Sequence, residues 1–76
     1  MGIGSVRYLR LESARCDVDV RLTRVGRRWV ASADAPSGPT LGWGTTSFDA
    51  IWMALAPFEG VIDQLLASLP EELAER

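Results

Sequence analysis

The segment Cys16–Asp34, CDVDVRLTRVGRRWVASAD, decides the fold. Cys16, Val18, Val20 and Leu22 alternate with Asp17, Asp19, Arg21 and Thr23, the period-two pattern of a strand with one dry and one wet face. Gly26 interrupts the pattern with a turn, and RRWVASAD returns as a partner strand, so the stretch predicts an antiparallel hairpin. Ala31 and Ala33 alternate from Trp29, and side chains that small leave room for a helix to lie close above the sheet.

Upstream, SVRYLRLES (Ser5–Ser13) is rich in β-formers but alternates imperfectly. Val6 and Tyr8 fall on one face, Leu9 and Leu11 on the other, which fits either a strand with a bulge or a strand covered on both sides. Downstream, APSGPT (Ala35–Thr40) is a loop and TLGWGT (Thr40–Thr45) a short third hairpin strand. Gly42 and Gly44 within it mark an edge, a bulge or a close backbone approach.

A helix follows. Thr46 can cap its first turn, with Asp49 completing a T-x-x-D capping box at the positive helix end. Phe48, Ile51, Leu55, Phe58, Ile62, Leu65 and Leu69 then recur in steps of three and four, one continuous apolar stripe. Pro57 removes a rung of the ladder and Gly60 weakens the next turn, predicting one bent helix or two nearly collinear ones. Pro70 ends the stripe. The fold class is therefore α+β: a small antiparallel sheet of three to four strands in β-β-β-β-α order, with one long, Pro-kinked C-terminal helix on one face. Residues 1–70 form a single domain and 71–76 a polar tail.

With 76 residues, 47% of them hydrophobic and 24% charged, the chain has room for one small core and little stability margin. One cysteine excludes an internal disulfide, and with no histidine a structural zinc site is not expected. No cofactor is implied, no apolar run is long enough to span a membrane, and a cytoplasmic protein is expected. Lysine is absent too, so the usual catalytic bases and Schiff-base nucleophiles are missing and the sequence reads as a non-enzyme. The net charge of −2 hides an asymmetry: seven arginines against three acids up to Arg28, then Arg76 alone against seven acids.

The stripe leaves Trp52, Met53, Ala54 and Ala56 unexplained, so the first half of the helix is apolar nearly all round. Burying Trp52 and Met53 against another chain would contribute roughly 3–6 kcal/mol per subunit before association costs. Tryptophan and methionine suit an interface centre. Trp43, Trp52, Met53 and Phe58 are therefore the candidate partner-binding residues, the partner being a second copy and, beyond it, a second small protein. The alternative is that SVRYLRLES folds over the helix start within one chain.

Other groups point less far. Arg21, Arg24, Arg27 and Arg28 crowd the hairpin tip near Tyr8 and Trp29, a workable nucleic-acid surface and the runner-up reading, although acids are interspersed. Asp17 and Asp19 share a strand face about 7 Å apart; solvation, or pairing with arginines such as Arg28, explains them better than metal or acid–base work. Cys16 is expected inside, as an inert thiol. GPTLGWGTTS precedes a helix but has neither the spacing nor the lysine of a phosphate loop.

Trp29, Val30 and Ala31, then Pro36, then Gly44, Thr46, Asp49 and Ala50 give a hairpin with W-x-A, a proline-bearing loop and G-x-T-x-x-[DE]-A leading into a helix. Over roughly Cys16 to Ala56 this order resembles HicB-like antitoxin domains. The resemblance implies a β-β-β-α layer that self-assembles and binds a protein partner, in that family usually a small RNA-cleaving toxin. The chain departs in having Pro57, the added SVRYLRLES, and no following helix-turn-helix or ribbon-helix-helix segment.

Overall fold

A computed structural model of the chain describes residues 6–70 together with Leu73. The decisive hairpin forms as the alternation predicts: β2 (Asp17–Val25) pairs antiparallel with β3 (Arg28–Ala35), Val20 facing Ala33 and Val25 facing Arg28. Gly26 has φ +63° and no described non-glycine residue has positive φ, which identifies the two-residue turn as type II′, the type that calls for glycine at its first central position.

Upstream, β1 (Val6–Glu12) pairs with β2 along its whole length, from Val6↔Thr23 to Glu12↔Asp17, without a bulge. Its alternation looks imperfect because Arg7 takes an inner position at the sheet edge yet stays exposed. On the other side of β3, β4 (Gly38–Pro39) and β5 (Gly42–Gly44) keep a single register, Ala35↔Gly38 through Val30↔Trp43 to Trp29↔Gly44. The result is a four-line antiparallel meander whose last line is split between two short strands.

One face of this sheet is covered. Helix α1 (Ser47–Ala54) lies over β3 and β5, and α2 (Ile62–Ala67) packs against β1. Close approach of α1 depends on small residues: Ala31, Ala33, Ala50 and Ala54 are fully buried, and a Cβ on Gly42 would run into the Ala50 carbonyl and the Ala54 amide. Thr46 caps α1, its hydroxyl accepting from the Asp49 amide at 3.1 Å. At the far side Ser68 Oγ accepts from Glu12 N at 3.0 Å and Gln64 Oε1 from Ala14 N at 2.7 Å, tying the C-terminal helix to the end of β1. Leu9, Leu11, Val18, Val20 and Leu22 from the sheet meet Ile51, Leu55 and Leu65 from the helices.

The stripe survives Pro57, but the ladder does not. Between the helices the Ala56 and Phe58 amides bond three residues back, to Met53 and Leu55, and Gly60 takes φ +91°. Two short helices therefore stand where one long kinked helix was the simplest expectation. Cys16 also departs from expectation, for it is exposed and precedes β2. Its amide and carbonyl are both engaged by the Ser13 hydroxyl in the β1–β2 turn, so the strand's alternation does not reach it. Leu73 is buried, which extends the core beyond Pro70; the rest of the expected tail lies outside the described residues, as does Ser5.

Candidate interaction surface

Strand alternation sends every second side chain to the side of the sheet away from the helices. Registers across the four lines arrange these side chains in rows. Val25 and Arg28 stand at the hairpin tip; the next row is Val6, Thr23, Val30 and Trp43; then come Tyr8, Arg21 and Ser32. Because β4 and β5 share one register, Leu41 stands opposite Ser32, and both line a shallow depression with Val6, Tyr8 and Val30. Beyond it, Arg10 Nε meets Asp19 Oδ1 at 3.4 Å, with Asp34 alongside on β3. Glu12 faces Asp17 in the last row.

In the rows of Val6 and of Tyr8, these two stand on one edge line and Trp43 and Leu41 on the other, with Thr23, Arg21, Val30 and Ser32 between them. The face is uncovered among the described residues. Tyr8 is 75% exposed and Trp43 48%, and Val6, Val25 and Leu41 are exposed as well. Of these the sequence reading had singled out only Trp43. For Val6 and Tyr8 the signal is the double-sided apolarity of β1: Leu9 and Leu11 claim the core, so Val6 and Tyr8 belong to the other side.

Trp52 (56% exposed) and Met53 (41%) sit on α1 and point away from the core, as the helical wheel requires. The structure does not bring Trp43 to them. Gly42 and Gly44 face α1, so Trp43 between them projects from the opposite side of the sheet. Phe58, also expected at the contact, is buried (8%) within the core cluster. Nor does β1 fold over the helix start; it is the far edge strand of the sheet.

The arginines of the hairpin are dispersed. Arg21 and Arg28 belong to the open face, Arg27 to the turn, and Arg24 to the helix side, where its guanidinium lies 5.7 Å from the Trp29 ring centroid and its Nε donates to the Gly26 carbonyl at 3.2 Å. Asp19 pairs with Arg10 across β1–β2 rather than with Arg28. Among the described residues no cluster of three or more Cys, Asp or Glu side chains could hold a metal ion, and no helix is long and apolar enough to cross a membrane.

No protein-family model matches the chain, and neither a curated protein nor a solved structure matches it. Five of the residues that carry the resemblance to HicB-like domains have a local explanation. Gly44 makes way for Asp49 Cβ, Thr46 caps α1, and Ala31 and Ala50 are fully buried where helix meets sheet. These residues belong to the junction between the hairpin and the helix.

Proposed function

We propose that this protein is a non-catalytic association module that works in the cytoplasm, its first partner being another copy of the same chain. One observation carries the reading: among the described residues seven large apolar side chains remain exposed on a molecule whose core is built on a single sheet face. Single apolar residues are ordinary on a surface, but several large ones with aromatic members gathered on one face support an interaction site. Five of the seven share the open sheet face, while Trp52 and Met53 give α1 a separate contact that a second small protein can use. A surface thiol, as at Cys16, suits a reducing compartment. The dispersal of Arg21, Arg24, Arg27 and Arg28 over three sides supports protein association over a phosphate-tracking surface.

Sedimentation velocity of the purified chain across micromolar concentrations tests this. The expected outcome is a mass that rises above the monomer's with concentration; a strict monomer throughout refutes self-association.

A further inference from the structure

Resting on that reading, we infer that the second copy occupies the open sheet face, turned by a two-fold axis that lies in the interface and runs across the strands. The face is polar along the strand direction. At the hairpin tip stand Arg27 and Arg28; at the other end Glu12, Asp17, Asp19 and Asp34 outnumber Arg10. An axis across the strands reverses strand direction in the partner, so each basic tip lands on an acidic end, and does so twice, as an isologous contact must. An axis along the strands would set tip against tip and acid against acid.

The registers fix where the axis falls. Placed on the row of Tyr8, Arg21 and Ser32, it would bring two copies of Arg21 together. Placed between that row and the row of Val6, Thr23, Val30 and Trp43, it sets Val6 against the other copy's Tyr8 and Trp43 against its Leu41. The same placement sets Arg28 against Asp34, both on β3 and both exposed. Antiparallel alignment of two twisted sheets face to face is a standard packing, with about 10 Å between layers.

Size and charge favour this occupant. The Cα envelope measures 39 × 26 × 16 Å, a slab whose broad side can supply the roughly 800 Å² per partner of an ordinary stable interface. Four carboxylates on the same face oppose a nucleic-acid backbone, whereas a second copy brings matching arginines.

The test is the dimerisation constant of the full chain by sedimentation, for Arg28→Asp, for Asp34→Arg and for the double variant; both positions are exposed, and circular dichroism checks that each variant folds. Each single change is expected to weaken self-association by about tenfold or more, through loss of two symmetric pairs and gain of repulsion, and the double variant to recover most of it. Self-association that ignores both single changes, or is not restored in the double variant, overturns this geometry and leaves the association reading standing. In that case its loss in Trp52→Ser would move the contact to α1. A monomeric wild-type chain overturns both. Binding of a mixed-sequence oligonucleotide at low salt that is lost in Arg28→Asp would assign the face to nucleic acid instead.

Discussion

Thr40 makes three hydrogen bonds. Its amide donates to the Ala33 carbonyl at 2.8 Å, its hydroxyl accepts from the Ala33 amide at 3.1 Å, and the same hydroxyl donates to the Ala54 carbonyl at 2.7 Å. The last of these satisfies a helix-end carbonyl that has no partner within α1. Thr40→Val keeps the shape but leaves a part-buried donor and acceptor unmatched, so stability should fall by about 1–3 kcal/mol, read as a lower urea midpoint at unchanged slope. Gly42→Ala should cost at least as much for a different reason, since its methyl collides with helix backbone that cannot swing aside as a side chain can. The same titration measures it; a variant as stable as the parent would show that α1 can lift off β5. Gly42 and the Thr46 cap were legible in the sequence because glycine and capping chemistry are local. Thr40 was not, because its partners lie 7 and 14 residues away.

At the scale of elements, the apolar stripe was readable through Pro57 because burial needs only recurring positions. Leu55, Phe58 and Leu65 are buried whether or not the ladder between them is continuous. The break itself has two independent causes, the missing amide of Pro57 and the positive φ of Gly60. Pro57→Ala is therefore expected to leave helicity by far-UV circular dichroism nearly unchanged, the glycine still dividing the helices. Gly60→Ala should lower stability by about 1 kcal/mol or more through backbone strain alone, for an added Cβ would meet only the Arg15 guanidinium, at an ordinary 3.5 Å. The misplacement of Cys16 arose at the same scale. Alternation told which residues share a face, but the Ser13 hydroxyl set where the strand begins.

For the whole molecule, the central hairpin and its covered side followed from periodicity and small residues, whereas the place of β1 at the sheet edge did not. What periodicity cannot convey is whether anything lies against the second side. That is why Trp43, close to Trp52 in sequence, was grouped with it and is found on the opposite surface. The proposed self-association would tie stability to concentration: the thermal midpoint should rise as the protein is concentrated from low to high micromolar, because binding between folded chains draws the equilibrium from the unfolded state. A midpoint independent of concentration would mean that each chain folds without its neighbour.

The clasp between α2 and the end of β1 bears on misassembly. An edge strand invites foreign strands to add to it, and continued addition is how fibrils grow. Here the Glu12 and Ala14 amides are already taken by Ser68 and Gln64. The helix that completes the core thus also guards that border against runaway stacking.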